Sequence, residues 1–273
     1  MSEFNIAFIG AGNMAASIIG GLVAGGHSPQ NIRAADVSEE SLERLQRLAP
    51  VATGTDNAAA ASEADVVILA VKPQVMAEVC ASIAPVIARN RALVLTVAAG
   101  IPIASYHRWL QTQAPIVRCM PNTPALLGSG ASGLFASPEV STEQRGQAQD
   151  IIDTVGSSVW VEREDHLHAV TAVSGSGPAY FFLFMESMIA AGEELGLDRA
   201  TATVLVQQTC LGAARMALES GAPLDELRRR VTSPGGTTES ALASFESQGL
   251  RQLVAGAVSA AGARSRELSD ELG

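Results

Sequence analysis

Small and hydroxyl-bearing residues, rather than clustered charges, carry the chemistry open to this chain. Gly10-Ala11-Gly12-Asn13-Met14-Ala15 follows the apolar run Ile6-Ala7-Phe8-Ile9 and leads into Ser17-Ile18-Ile19-Gly20-Gly21-Leu22-Val23. That order reads as strand, phosphate loop and helix: Gly10 allows the tight turn, Gly12 lets backbone approach a pyrophosphate, and Ala15 permits close helix–strand packing. The free N–H groups of the next helix then supply an anion site. Two later stretches have a similar character. Ser174-Gly175-Ser176-Gly177-Pro178-Ala179-Tyr180 should break a helix and expose amides at the start of the next, and Val231-Thr232-Ser233-Pro234-Gly235-Gly236-Thr237-Thr238 should do the same. Both are inviting places for a carboxylate.

What is missing narrows the reaction. Lys72 is the only lysine in the sequence. His166 and His168 are two apart and would face different ways on a helix, and the four histidines show no metal-ligand spacing. No metal site is predicted. Oxidation of an alcohol needs a base for the hydroxyl proton, often lysine or histidine, and the C-terminal part offers no persuasive one. Reduction of a protonated imine needs less, because its carbon is already electrophilic and positioning beside a hydride donor suffices.

These residues need elements to hold them. Asn31 to Asp36 reads as a strand ending in an acid, followed by a capped helix from Ser38 to Leu48. Asp36 lies where a dinucleotide fold places the carboxylate that meets the adenosine ribose, which favours NAD. Arg33 and Ser38 flank it and could accommodate a 2′-phosphate, so the sequence leaves the cofactor open. Ala64 to Val71 is a continuous apolar run, as in a strand covered on both faces, and ends in Lys72-Pro73. Gln74 to Ala88 supplies a helix, and Ala92 to Val97 another strand running into Ala98-Ala99-Gly100. Ligands in such sheets sit outside the carboxyl ends of the strands, so both ends are candidates for cofactor contact. Pro115 to Met120 is a further strand before the rigid Pro121-Asn122-Thr123-Pro124 loop. Ala131 to Ala136 and Ser158 to Val161, around a helix from Thr142 to Thr154, extend the same sheet.

From Asp165 onward the pattern is helical alone, which predicts a dinucleotide domain over 1–164 and a helical domain over 165–273. Tyr180, Phe181, Phe182, Phe184, Met185 and Met188 crowd one helix that is apolar on most sides. Such a helix meets something beyond its own domain, and a homodimer interface is expected. A net charge of −10 argues against a nucleic-acid surface. Three separated cysteines suit a reducing, cytoplasmic setting without disulfides; no leader is expected, and the stretch from Pro178 to Gly192 is too short to cross a bilayer.

Taken together, Gly10 to Ala15, Ala70-Val71-Lys72-Pro73, Ala98-Ala99-Gly100, Cys119 to Pro124, Ser174 to Tyr180 and Val231 to Thr238 resemble the pyrroline-5-carboxylate reductase family over nearly the whole length. The resemblance implies a Rossmann-type α/β domain with a parallel sheet and an all-α dimerisation domain. It implies NADP(H) as cofactor, with NAD(H) also open because Asp36 departs from the smaller residue many members carry. Cofactor contacts would fall on Gly10, Ala11, Gly12, Asn13, Met14, Asp36, Asn57, Ala70, Val71, Lys72, Pro73, Ala98, Ala99, Gly100 and Pro121. An imino-acid substrate would meet Ser233, Gly235, Gly236, Thr237 and Thr238, with neighbouring residues able to come from the dimer partner. Thr171 or Ser176 would hydrogen-bond the ring nitrogen. A 3-hydroxyacid dehydrogenase of the same architecture is disfavoured by the missing lysine, and a noncatalytic nucleotide sensor would not need both amide-rich stretches.

Overall fold

The computed structural model describes residues 4–273, which divide into two compact units: residues up to Ser176 together with Ala261–Gly273, and Gly177–Ala260. The first unit alternates strand and helix: β1 (Ile6–Ile9), α1 (Asn13–Ala24), β2 (Ile32–Ala35), α2 (Glu39–Leu48), β3 (Ala52–Gly54), α3 (Asn57–Ala61), β4 (Val66–Leu69), α4 (Met76–Asn90), β5 (Leu93–Thr96), α5 (Ile103–Leu110), β6 (Ile116–Met120), β7 (Gly130–Ala136), α6 (Thr142–Asp153), β8 (Gly156–Trp160) and α7 (His166–Val170). The strands form one sheet in the order β3-β2-β1-β4-β5-β6-β7-β8. The first six are mutually parallel; β7 runs antiparallel to β6, and β8 runs parallel to β7. The sheet is therefore mixed at one end, where β6 and β7 need no crossover helix.

Burial follows from the sequence pattern. β1, β4 and β5 are buried at every position because helices cover both faces of the sheet. One core layer joins Phe8, Ile18, Ile19, Leu22, Leu45 and Leu134; the other joins Ile9, Leu69, Met76, Ile83, Tyr106 and Ile116. α2 starts where Ser38 accepts the N–H of Ser41, with Glu39 and Glu40 in its first turn. α6 starts with a reciprocal capping box between Ser141 and Gln144. Strand β3 and helix α3 are too short to show in the sequence pattern. β3 is held by pairing with β2, and α3 by Asp56 Oδ1 accepting from Ala59 N at 3.0 Å.

The second unit comprises α8 (Gly177–Glu194), α9 (Arg199–Glu219), α10 (Leu224–Arg230), α11 (Thr237–Ser247) and the first half of α12 (Leu250–Leu272), whose remainder belongs to the first unit. Within it Phe184 packs against Phe245, and Gly192 admits Ala202 and Leu197 at close range. Yet Phe181, Phe182 and Leu183 are each more than half exposed. Among the described residues, no helix is long and apolar enough to cross a membrane.

Candidate functional site

The turn after β1 is shaped by what surrounds it. Gly10 has φ +103°, and a Cβ there would lie 2.6 Å from the Ala70 carbonyl oxygen, so only glycine fits. Its N–H donates to Ala35 O, while Ala70 N donates to Ile9 O, which draws the ends of β1, β2 and β4 together. A Cβ on Gly12 would meet nothing within 4 Å, so the space before it is open. Gly12 caps α1 without a side-chain bond, leaving the first-turn amides of Asn13 and Met14 facing outward. Open space, free amides and a helix start fit a pyrophosphate.

Asp36 does more locally than its position in sequence suggests. Its Oδ2 accepts from Ala11 N at 2.7 Å and its Oδ1 from Ser38 N at 2.8 Å, tying the loop after β2 to the glycine loop. Arg33, which sequence reasoning set beside it as a phosphate ligand, is instead ion-paired with Glu63. The Ser38 hydroxyl is likewise committed to capping α2. Asp36 and Asn57 share a cleft of about 230 Å³ with Gly10 and Val71. Val37, Val75, Glu78, Val79 and Ser82 also line it, and none of these was singled out from sequence. Val75, Val79 and Ser82 recur at helical spacing along one side of α4 and the turn before it, the signal that could have found them.

Lys72 is exposed at the start of the 3₁₀ turn Pro73–Val75 and makes no ion pair among the described residues. The end of β5 is more tightly built. Thr96 Oγ1 lies 2.7 Å from the Tyr106 hydroxyl, and burial pushes that phenol's pKa upward. Ala98 and Ala99 follow, and Gly100, at φ +82°, packs against Leu272 of α12. Pro121 is buried, and the neighbouring Asn122 donates to Ser174 O at 3.0 Å and accepts from Ala131 N at 2.9 Å.

Through Asn122 the proline-fixed loop meets the stretch after α7, and here the structure corrects the expected helix break. Thr171–Gly175 forms a π-turn, Ser176 N donates to Thr171 O at 2.8 Å, and α8 begins at Gly177. Helical hydrogen bonding absorbs the amides that a break would have freed. The hydroxyls remain: Thr171 Oγ1 donates to Leu167 O and Ser174 Oγ to Val170 O, and Ser176 is half-buried at the end of the π-turn. Single π-turns mark functional stretches of helices more often than chance would place them there. α7 sits hard on the sheet, since a Cβ on Gly133 would come within 2.6 Å of Val170. His168 Nδ1 lies 2.9 Å from Ser265 Oγ, and burial is the leading reason its pKa is lowered. Cys119 is buried and its pKa is raised to about 12, so it is no thiolate nucleophile.

In the second unit, the loop from Ser233 to Gly236 keeps the character expected of it. Gly235 has φ +73°, Gly236 N donates to Ser233 O, and Gly236 opens α11 without a side-chain cap. The amides of Thr237 and Thr238 in the first turn lack intrahelical acceptors. Among the described residues no cluster of three or more His, Cys, Asp or Glu is arranged to hold a metal ion.

Comparison with known proteins agrees with this geometry. Residues 164–268 match the family model described as pyrroline-5-carboxylate reductase dimerisation, and residues 5–100 match one described as NADP oxidoreductase, coenzyme F420-dependent. The chain is 53% identical to a pyrroline-5-carboxylate reductase of Pseudomonas aeruginosa, covering 100% of both chains. A solved pyrroline-5-carboxylate reductase of Coxiella burnetii superposes with a TM-score of 0.96 at 44% identity, covering 98% of this chain and 99% of that one. The Plasmodium falciparum pyrroline carboxylate reductase with NADP bound gives a TM-score of 0.84 at 28% identity, again covering 98% and 99%. Identity of this order over the full length leaves one conclusion: the chain belongs to the pyrroline-5-carboxylate reductase family.

Proposed function

We propose that this protein reduces L-1-pyrroline-5-carboxylate to L-proline with NADPH, the last step of proline biosynthesis. The observation that carries the reading is the π-turn after α7, which presents the hydroxyls of Thr171 and Ser176 and no lysine or carboxylate, beside the loop that begins at Pro121. Such a site suits an imine, whose carbon accepts hydride without a base. When bound, the nicotinamide supplies that hydride. The chain's own residues orient the partners. The amides after Gly12 take the pyrophosphate, and the ends of β4 and β5, Ala70 to Pro73 and Ala98 to Gly100, flank the cofactor with Pro121. The Ser233–Thr238 loop takes the substrate carboxylate. Because Thr171 already donates its proton to Leu167, its oxygen serves as acceptor for a ring N–H. Ser176 is the donor when the imine arrives neutral.

The division of labour follows the sequence: 1–164 for the nucleotide, 165–273 for substrate and subunit pairing. The exposed apolar side chains of α8 support a homodimer through the helical domain. A monomeric mass by light scattering at micromolar concentration would sink that part. The three unpaired cysteines suit the cytoplasm. A second cofactor reading has its own observation: Asp36 at the adenosine-side cleft favours ribose hydroxyls, so NADH should also be turned over. Consumption of NADPH and NADH with pyrroline-5-carboxylate at equal concentrations tests the whole proposal, and no turnover with either would overturn it.

A further inference from the structure

We infer that Glu239 is a positioning residue that acts on the substrate-carboxylate loop in two opposed ways, shaping it through a hydrogen bond and weakening it through charge. The inference rests on the reading that the Ser233–Thr238 loop binds the substrate carboxylate. Glu239 is the third residue of α11, and its Oε2 accepts from Gly235 N at 2.7 Å. Gly235 is the residue of the loop with left-handed backbone, φ +73°. A side chain one turn into the helix thus reaches back and secures the amide of the residue on which the loop pivots. The geometry resembles a capping box displaced by one residue, for in that motif the third helical side chain returns to the cap itself. The loop's other fastenings are local: Gly236 N to Ser233 O at 3.0 Å, and Thr232 Oγ1 to Arg228 O at 2.6 Å.

The same contact has a cost. The Glu239 carboxylate uses one of the loop's donors and sets a negative charge beside the amides of Thr237 and Thr238, in a chain that already carries −10. Among the described residues, it has no cationic partner. Arg229 and Arg230 pair instead with Asp225 and Glu226, and Arg251 with Glu246. An incoming carboxylate therefore meets a like charge that no ion pair among the described residues neutralises. The two roles are separable, because glutamine keeps an acceptor oxygen in the same place and loses the charge, whereas alanine loses both.

Steady-state kinetics of Glu239→Gln and Glu239→Ala with the imino acid, at low and at high salt, test this. At low salt Glu239→Gln should lower KM about three- to fourfold, the size expected of one like charge roughly a helical turn from an exposed anion site, with kcat within twofold. Near 1 M salt, where charges are screened within ~3 Å, it should match the parent. Glu239→Ala should raise KM about fivefold at high salt, where only the lost hydrogen bond counts. Gly236→Ala, whose Cβ would lie 2.9 Å from Ser233 O, disturbs the loop independently. If Gly236→Ala raises KM while Glu239→Gln equals the parent at low salt, the inference about Glu239 is overturned and the loop assignment stands. If all three variants leave KM unchanged, the loop assignment itself fails, and this inference with it.

Discussion

Arg118 Nη1 lies 2.7 Å from Glu164 Oε1, in a pair whose arginine side chain is 7% exposed. The same glutamate oxygen accepts from Ile103 N at 2.7 Å. One carboxylate thus joins the middle of β6, the start of α5 just after Gly100, and the segment leading into α7 and Thr171. Arg118 Nε is buried without a partner, so the guanidinium depends heavily on that carboxylate. Removing one partner of a buried pair is far more harmful than removing both. Glu164→Gln should lower stability by about 2–3 kcal/mol, below the usual range because the glutamate is partly exposed, and lower Tm by about 5–10 °C. An unchanged melting curve would show the pair to be ornamental.

Asp36 holds the glycine loop through Ala11 and sits in the adenosine-side cleft. A 2′-phosphate brought there would meet its negative charge, whereas ribose hydroxyls would meet an acceptor. Asp36→Ser should raise the ratio of kcat/KM for NADPH over NADH about tenfold, equivalent to ~1.4 kcal/mol of relieved repulsion. A ratio equal to that of the parent would remove Asp36 from cofactor choice.

Ser176 and Thr171 are expected to differ in their pH dependence. If Ser176 supplies a proton to a neutral imine, Ser176→Ala should lose about a hundredfold in kcat/KM at alkaline pH and little at acidic pH, where the substrate arrives protonated. Thr171→Val should lower kcat/KM by a similar factor at every pH, because only an acceptor is lost. Identical pH profiles for both variants would contradict the division of roles.

His168 binds a proton less readily in the folded chain than in the unfolded one, chiefly because of burial. Where the unfolded state binds more protons, stability rises with pH. Above the unfolded value of about 6.5 both states are neutral and His168 contributes no slope. As pH falls below it, the unfolded chain takes up the proton first and stability declines. His168→Asn should flatten the fall of Tm as pH drops below about 6.5. An undiminished fall would assign the acid sensitivity to other groups.

Much of the architecture was legible because period and punctuation agreed. Apolar runs bounded by glycine or proline became β1, β4 and β5, and Ser38 marked the start of α2 where it stands. Strand β3 and helix α3 escaped because three to five residues are too few for a period, and neighbouring chain sets their conformation. The Ser174–Tyr180 stretch misled for a different reason. Glycines and serines favour a break only when helical bonding is not restored, and here a π-turn restores it while Met120 and Asn122 fill the space beside Gly175 and Ser174.

The sequence by itself determined the chemistry on offer: a glycine loop for phosphates, a hydroxyl-rich segment, an amide loop at Gly235-Gly236, and a single lysine placed away from the helical domain. Those facts depend on residue type and local spacing, which a linear chain displays in full. Tertiary structure alone decided which groups remain free to act. Arg33 is drawn to Glu63, Asp36 to the amides of Ala11 and Ser38, and the Thr171 proton to Leu167. A donor or acceptor is available only when folding has not already given it a partner, and those partners lie across the sheet or a helical turn away.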